Sequence, residues 1–299
     1  MSEAAVREAG STRRQSFVAA ARRLRQAGLA TPELDARLLL CEAAGVSQEA
    51  YVAEPDRPLP PDVAAAYTRL IERRLGGEPV ARILGRREFY GRDFLVDRHT
   101  LDPRPDTETL IDAALAWVAG KGAQELPLRV LDLGTGTGCI LLTLLAELPR
   151  ATGVGTDVSV AALALARTNA RRLGVEARAR FAAGDWLDAV TGRFDLVVAN
   201  PPYLATEEIS QLAPEVGRHD PLAALDGGPD GLKAYRRIAA RAAEVLQPGG
   251  AILLETGHTQ SEAVVSLLGA VGLTTAADGG VWRDLAGRAR VVLACAGGG

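Results

Sequence analysis

The sequence is poor in the residues that build disulfide frameworks and metal sites. Its 299 residues include three cysteines and three histidines. These are scattered along the chain, at Cys41, Cys139, Cys295, His99, His219 and His258. Because they form neither closely spaced cysteine pairs nor a Cys/His cluster, we expect no disulfide framework and no metal site. Unpaired cysteines are usual in a reducing compartment, so we expect a cytoplasmic protein.

Long apolar runs are also missing. The longest, such as "ILLTLLAEL", fall well short of the roughly 18 residues of a membrane-spanning helix. The N-terminus carries Arg7, Arg13 and Arg14 without the apolar core of a signal peptide, and Glu3 and Glu8 argue against an organelle transit peptide. We therefore predict neither secretion nor a membrane partner.

A surplus of positive charge is the third absence. The formal net charge is −3, whereas general nucleic-acid binders carry a strong basic excess. We therefore expect no direct nucleic-acid partner.

Apolar residues, in contrast, make up 47% of the chain, which is ample for packed cores, and the length suggests about two domains.

The pattern of apolar residues changes along the chain. Helical spacing over three segments predicts a small helical domain in residues 1–84. Alternating aromatic and charged residues around Gly91, followed by two prolines, predict a hairpin and stiff linker over residues 85–105. Residues 106–299 alternate helices with short apolar strands, which predicts an α/β domain with a mostly parallel sheet and helices on both faces. The candidate strands are "LRVLDL", "TGVGTD", "ARARFAAGD", "FDLVVAN", "AILLETG" and "VVLACA".

A glycine-rich turn follows the first candidate strand of this domain. The turn comprises Asp132, Gly134, Thr135, Gly136, Thr137 and Gly138, directly before an amphipathic helix. Glycines let the backbone approach a ligand closely and present its N–H groups. The spacing is G-x-G-x-G with Cys139 at the next position, so neither the dinucleotide fingerprint nor a P-loop is present. We therefore predict a nucleoside site without a pyrophosphate requirement.

Acidic residues end the next two strands. Asp157 ends the second strand, where a carboxylate commonly accepts hydrogen bonds from ribose hydroxyls. Asp185 and Trp186 follow the third strand, where they could meet the edge and face of an adenine. S-adenosylmethionine fits this set because it combines adenine, ribose and a sulfonium cation with no phosphate. The simpler interpretations are a tight turn at the glycines and core packing for Trp186.

A stiff corner, "NPPY", ends the fourth strand. Asn200 and Pro201 each precede a proline and are pushed toward extended conformations. Because Pro201 and Pro202 donate no backbone N–H, carbonyl oxygens of the turn remain available as acceptors. The Asn200 side-chain oxygen and the Pro201 carbonyl suit the two hydrogens of a planar NH₂ group, and Tyr203 offers a flat wall. The corner alone leaves open whether the group is an adenine or an amide.

The combination of motifs resembles a known family. "NPPY" downstream of "LDLGTGTG" resembles class I adenosylmethionine-dependent methyltransferases that modify planar nitrogens, including adenine-specific DNA enzymes and protein-glutamine enzymes. "LDPRPDTETLI", "PEVGRHDPLAALDGGPDGLKAYRRI" and "WRDLAGRARVV" are similar to the peptide-chain release factor glutamine methyltransferases, the PrmC/HemK family. The string from Arg104 to Glu108 resembles this group more than the ribosomal-protein glutamine methyltransferases.

The resemblance implies a fold, a substrate and a set of roles. The fold would be Rossmann-like, with a seven-stranded, mostly parallel sheet and an N-terminal helical domain that binds class 1 release factors. The substrate would be the glutamine of their Gly-Gly-Gln motif, methylated to N5-methylglutamine in support of translation termination. Asn200, Pro201 and Tyr203 would be catalytic, and Pro202 would contact substrate with them. Asn200, the glycine turn and the strand-end residues Asp132, Asp157, Asp185 and Trp186 would bind the cofactor.

Three positions depart from the family pattern, and two other functions stay open. Asp102 replaces an aliphatic residue, and His219 with Asp220 replaces an aromatic-Glu pair; these bear on contacts with the protein substrate more than on the chemistry. The alternatives are a methyltransferase for another planar nitrogen, in a ribosomal protein or a nucleic-acid base, and a non-catalytic adenosylmethionine-binding protein.

Overall fold

The structure, a computed structural model, describes residues 11–188, 190–212, 214–275 and 280–298. Contacts within the chain divide it into two compact units, residues 1–85 and 86–299. No helix among the described residues has both the length and the apolarity to cross a membrane.

The first unit is helical. Its helices are α1 (Arg13–Gln26), α2 (Pro32–Ala44), α3 (Gln48–Ala53), α4 (Pro61–Leu75) and α5 (Val80–Leu84). Local sequence sets their limits: Thr12 caps α1 through a capping box, and Gly45 ends α2 in the left-handed conformation with φ of 61°. Apolar faces of α1, α2 and α4 form one core, which also contains a buried ion pair between Arg74 and Asp35 at 2.6 Å.

A short hairpin begins the second unit. Strands β1 (Arg86–Phe89) and β2 (Arg92–Leu95) pair antiparallel. Tyr90 and Gly91, the two residues of the turn, have φ of 51° and 72°, as the tightest hairpin turns require. The predicted hairpin therefore forms around Gly91.

A seven-stranded sheet forms the centre of the second unit. After β2 the strands are β3 (Arg129–Leu133), β4 (Thr152–Asp157), β5 (Ala179–Ala183), β6 (Phe194–Ala199), β7 (Leu246–Glu255), β8 (Val281–Arg283) and β9 (Ala289–Cys295). Their order is β5-β4-β3-β6-β7-β9-β8. The first five strands of this order run parallel, and β9 pairs antiparallel with β7 and β8. The predicted fold class is confirmed, although our list of strands omitted the three-residue β8.

Helices cover both faces of the sheet. They are α6 (Glu108–Gly120), α7 (Cys139–Glu147), α8 (Val160–Arg172), α9 (Pro214–His219), α10 (Lys233–Val245) and α11 (Ser261–Gly269). Alternation along β6 shows the two layers: Leu196 and Val198 pack in a core with α6 and α7, while Val197 and Ala199 pack in a second core with α10 and α11. Both faces are buried, which is why the strands read as continuous apolar runs.

Candidate active site

A cavity of about 670 Å³ lies where the order of the parallel strands reverses. The chain passes from β3 outward through β4 and β5, then returns to place β6 on the other side of β3. Ligands of open parallel sheets bind at this point, beyond the carboxyl ends of the strands. Nine predicted site residues line the cavity: Gly134, Thr135, Gly136, Thr137, Asp157, Asp185, Trp186, Asn200 and Pro202.

Four predicted site residues are not part of the cavity lining: Asp132, Gly138, Pro201 and Tyr203. Asp132 is fully buried at the end of β3, and Pro201 is also buried. Gly138 is the last residue before α7. The side chain of Tyr203 packs against the core that contains α10 and α11.

The glycine turn depends on left-handed backbone at all three glycines. Gly134, Gly136 and Gly138 have φ of 70°, 53° and 82°. A Cβ atom at Gly138 would stand 2.9 Å from Cδ1 of Leu142, so this position lacks both the conformational freedom and the space for a side chain. The turn is closed by a hydrogen bond of 2.7 Å from the Gly138 N–H to the carbonyl of Thr135.

Asp132 stabilises the glycine turn through a hydrogen bond. The Thr135 hydroxyl donates to Asp132 Oδ2 at 2.5 Å. Burial raises the pKa of Asp132 to about 7, against the lowering effect of the Thr135 hydrogen bond. Asp132 is therefore a buried acid that titrates near neutral pH and contacts the turn instead of the cavity.

Asp157 connects the end of β4 to the same turn. Its Oδ2 accepts from the Gly136 N–H at 2.9 Å, and its Oδ1 accepts from the Ser159 N–H at 2.8 Å. Each oxygen of a carboxylate has a second lone pair, so both can accept a ligand hydroxyl as well. The N–H of Gly136, in contrast, is already engaged.

The end of β5 contributes an ion pair and a strained aromatic residue. Asp185 contacts Arg237, which lines the cavity from α10. Trp186 has φ of 55°, which is rare for a bulky residue and costs on the order of 1–2 kcal/mol. Its ring stands 3.4 Å from the position a Cβ of Gly134 would take, so the ring narrows the cavity beside the glycine turn.

The corner after β6 is held by side-chain hydrogen bonds. Asn200 Nδ2 donates to Thr107 Oγ1 at 3.1 Å, and Thr107 belongs to a 3₁₀ turn at Pro105–Thr107. The carbonyl of Tyr203 accepts from Gln260 Nε2 at 2.9 Å, so it is not a free acceptor. Because Thr107 engages its nitrogen and Asn200 lines the cavity, its oxygen, Oδ1, is the side-chain atom left to accept from a ligand.

The segment between Leu204 and Gly228 borders the cavity. The N–H of Leu204 donates to the carbonyl of Leu225, and the N–H of Gly227 donates to the carbonyl of Leu204, so the two ends of the segment lie together. Residues 221–224 line the cavity.

An ion pair connects this segment to the motif before α6. Arg104 lines the cavity and binds the buried carboxylate of Asp220 at 2.6 Å. Asp220 is thus a partner of Arg104, and the half-buried His219 precedes it. Asp102, another departure from the family pattern, is buried and lines the cavity.

Two distant sequence motifs meet in a network of charges. Arg290 pairs with Asp106, and with Asp284 at 3.0 Å. Arg288 pairs with Asp284 at 2.9 Å. "PRPDTE" and "WRDLAGRARVV" are therefore in contact through their charged residues, although Asp106 and Arg290 are 184 positions apart in the sequence.

Sequence reasoning assigned no role to three residues near the site. Thr107 lies within a quoted motif, but nothing local indicates that it holds Asn200. Glu255 ends β7 and is 1% exposed; an acid at the carboxyl end of a buried strand was the available signal, as for Asp132 and Asp157. Arg237 lies in a helix rich in arginine, and no pattern distinguishes it from its neighbours.

The cavity residues suit S-adenosylmethionine. Concave sites for small molecules typically have about 300–1,000 Å³, and this cavity falls in that range. Its lining combines the glycine turn with four carboxylates, and these outnumber the three arginine and lysine side chains of the lining, as suits a cationic ligand; the acids are Asp102, Asp157, Asp185 and Asp226, and the bases are Arg104, Lys233 and Arg237.

The fold and the cavity define a class of protein, the class I adenosylmethionine-dependent methyltransferases. A solved structure with this fold, the hMettl16 catalytic domain in complex with MAT2A 3'UTR hairpin 6, matches with a TM-score of 0.55 at 17% identity, covering 73% of this chain and 81% of that one. Residues 111–216 match the methyltransferase small domain family, and residues 16–85 match the PrmC N-terminal domain family.

Sequence relatives identify the particular family. The release factor glutamine methyltransferase of Rhodospirillum rubrum is 48% identical over 91% of this chain and 81% of its own length. That of Cereibacter sphaeroides is also 48% identical, over 92% of this chain and 95% of its own length. The chain belongs to the release factor glutamine methyltransferase family, and the predicted resemblance is confirmed. It is an enzyme of the S-adenosylmethionine-dependent methyltransferase class.

Proposed function

We propose that the protein methylates the side-chain amide nitrogen of the glutamine in the Gly-Gly-Gln motif of class 1 release factors, in the cytoplasm. The observation that carries the proposal is the hydrogen bond from Asn200 Nδ2 to Thr107 Oγ1. It leaves Asn200 Oδ1 as an acceptor in the cavity that also contains the glycine turn. An acceptor at this place suits an amide NH₂ group.

The cofactor would lie along the strand ends on the other side of the cavity. The glycine turn would hold its amino-acid tail, Asp157 its ribose hydroxyls, and Asp185 with Trp186 its adenine. When bound, S-adenosylmethionine supplies an electrophilic methyl group on a sulfonium sulfur. The carboxylates of the lining favour this cation electrostatically.

Asn200 and Pro201 would compensate for the low nucleophilicity of the substrate amide. An amide nitrogen is a weak nucleophile because its lone pair is delocalised into the carbonyl. Pro201 itself is not part of the cavity lining, but its neighbours in the sequence, Asn200 and Pro202, are. If Asn200 Oδ1 and the Pro201 carbonyl accept the two N–H groups, the lone pair would be aimed at the methyl carbon. With S-adenosylmethionine bound, methyl transfer would form the N–C bond as the C–S bond breaks, the sulfur would leave as a neutral thioether, and the nitrogen, made acidic by alkylation, would give its proton to water. Alignment of this kind contributes as much as roughly 7–11 kcal/mol in favourable cases.

We also propose that residues 1–84 bind the release factor. The match of residues 16–85 to the PrmC N-terminal domain family supports this role. Exposed apolar side chains of this unit, Val18, Leu34 and Val52, offer contacts that can be tested in the full chain. Replacing them by glutamate should raise KM for the intact release factor and leave KM for a short Gly-Gly-Gln peptide unchanged. An equal effect on both substrates would contradict the proposal.

The test of the proposed reaction is incubation with S-adenosylmethionine and a purified class 1 release factor, followed by mass spectrometry of the Gly-Gly-Gln peptide. We expect one methyl group on the glutamine side-chain nitrogen. Ribosomal protein and nucleic acid serve as competing substrates. Methylation of either one with an unmodified Gly-Gly-Gln peptide would favour the other planar-nitrogen substrates, and binding without transfer to any substrate would favour a non-catalytic protein.

A further inference from the structure

Glu255 is a buried acid next to the proposed substrate clamp, but outside the cavity lining. It ends β7, whose Leu254 pairs with Ala199 of β6, one residue before Asn200. Its side chain is 1% exposed, and among the described residues its Oε2 atom has no hydrogen-bond partner. Burial raises the pKa of Glu255 to about 7, while interactions with the Thr107 hydroxyl, the Arg290 guanidinium and the Asn200 amide oppose the rise.

The orientation of the Asn200 carboxamide requires an explanation, because its two ends have nearly the same shape. Its nitrogen donates to Thr107 Oγ1. A hydroxyl that accepts one hydrogen bond can still donate its own proton, and both the Thr107 hydroxyl and the Asn200 amide lie close enough to the Glu255 carboxyl to lower its pKa. An ionised carboxylate can only accept. While it is ionised, Glu255 therefore favours donors facing it, the Thr107 hydroxyl and the nitrogen of the Asn200 carboxamide.

We propose that Glu255 is a positioning residue that, with Thr107, keeps the Asn200 nitrogen turned into the protein and the Asn200 oxygen turned toward the cavity. The inference rests on the proposed function, since it names what holds the acceptor that the substrate amide needs. Glu255 itself contacts neither cofactor nor substrate.

Protonation of Glu255 removes this constraint. Below its folded pKa the Glu255 carboxyl gains a proton and can itself donate a hydrogen bond. The Asn200 carboxamide can then turn over and present its nitrogen to the cavity. Turnover should therefore fall as pH decreases through about 7. The titratable and charged groups that act on Glu255 are Asp106, Arg290, Tyr203, Tyr235 and Cys139.

The neighbours of Glu255 do not explain a titration near pH 7. Burial raises the pKa of Tyr203 and that of Tyr235, and raises the pKa of Cys139 to about 12, so all three stay neutral in this range. Asp132 also has a pKa of about 7, but it contacts Thr135 at the end of β3. Because Glu255→Gln removes only the titration of Glu255, comparing this variant with the parent protein distinguishes the titration of Glu255 from that of Asp132.

A spectroscopic test reads the carboxamide directly and needs no activity. The chain has two asparagines, Asn169 and Asn200, so asparagine labelled with ¹⁵N gives two side-chain NH₂ signals. Asn169 Nδ2 donates to the carbonyls of Leu95 and Thr137 and serves as an internal control. We expect the Asn200 signal to shift with a midpoint near pH 7, the Asn169 signal to stay constant, and the Asn200 shift to disappear in Glu255→Gln. An unchanged Asn200 titration in Glu255→Gln, or none in the parent protein, would overturn the inference.

Steady-state kinetics tests the consequence for the reaction. Glu255→Gln and Thr107→Val should each lower kcat about tenfold or more, with KM for S-adenosylmethionine little changed. Thr107→Ser, which keeps the hydroxyl, should restore most of the turnover. Glu244→Gln removes an exposed acid paired with Arg241 and should behave like the parent protein.

The outcomes distinguish this inference from the proposed function. If the parent protein methylates the glutamine and Glu255→Gln keeps its kcat and pH profile, the inference is wrong and the proposed function stands. If the parent protein does not methylate the glutamine, the proposed function is wrong, and the NMR titration still decides whether Glu255 orients Asn200.

Discussion

The glycine turn after β3 and the corner after β6 both lie at the carboxyl ends of buried parallel strands, but different interactions hold them. The turn is fixed locally by three glycines with positive φ and by hydrogen bonds from Thr135 and Gly136 to nearby acids. The corner is held by Thr107, which lies 93 residues before Asn200 in the chain, and by Gln260, which donates to the Tyr203 carbonyl. The glycine turn is thus held by residues that are close in the sequence, whereas the corner is held by residues that are distant in the sequence and close in the fold.

The buried acid at the end of β3, Asp132, should destabilise the fold when it ionises. The pKa of Asp132 rises on folding from 3.8 to about 7. The folded state therefore binds the proton more tightly, and stability falls as pH rises from about 4 to about 7. Asp132→Asn should remove a penalty on the order of 4 kcal/mol at pH 8 and have little effect near pH 4. Chemical denaturation at both pH values measures this difference, and equal effects at the two would contradict it.

The acceptor of the corner should matter more for turnover than for stability. Asn200→Ala removes the oxygen proposed to accept a substrate N–H, and we expect kcat to fall by roughly 10²-fold, as for the loss of one preorganised polar group. The check is single-turnover methylation of a release factor, and near-normal turnover would show that another group holds the amide.

The conformation of the turn should matter for cofactor affinity. Gly138→Ala introduces strain at φ of 82° and a contact of 2.9 Å with Leu142, so we expect a cost of roughly 2 kcal/mol and weaker binding of S-adenosylmethionine. Gly174→Ala is the matched control, because Gly174 has φ of 69° with open space around it. Calorimetric titration should detect weaker binding of S-adenosylmethionine to Gly138→Ala and unchanged binding to Gly174→Ala. Equal affinities of the two variants would contradict a role of the turn conformation in cofactor binding.

The smallest expected effect concerns the ion pair at the adenine end of the cavity. Arg237 contacts Asp185 and is 41% exposed, so solvent screens the interaction. We expect Arg237→Gln to raise KM for S-adenosylmethionine about threefold, consistent with less than about 1 kcal/mol for an exposed pair. Arg241→Gln, one turn further along α10 and outside the cavity lining, should leave KM unchanged. A larger rise in KM for S-adenosylmethionine with Arg241→Gln than with Arg237→Gln would contradict a role of Arg237 in cofactor binding.

The contrast between turn and corner also explains what the sequence could predict. The sequence could indicate Gly134, Gly136 and Asp157, which line the cavity, because their spacing is local and the geometry of the turn depends on the backbone. Helices on both faces and the parallel strands followed from apolar periodicity. The three-residue β8 was missed because it is too short to show a period and is not fully buried.

The support of the corner could not be predicted in the same way. Thr107, Asn200 and Glu255 are far apart in sequence, and their proximity depends on the pairing of β6 with β7 and on the position of the turn before α6. The ion pairs of Asp106 with Arg290 and of Arg104 with Asp220 have the same origin. The motif "PRPDTE" was recognised as characteristic, but its physical role appears only once the chain is folded.

The central claim is that the corner holds a glutamine amide of a release factor. Its most direct test is mass spectrometry of the Gly-Gly-Gln peptide after reaction of an intact class 1 release factor with the parent protein and with Asn200→Ala. The account predicts one methyl group on the glutamine nitrogen with the parent protein and a roughly 10²-fold slower reaction with the variant. A methyl group on another residue, or an unmodified peptide with the parent protein, would contradict it.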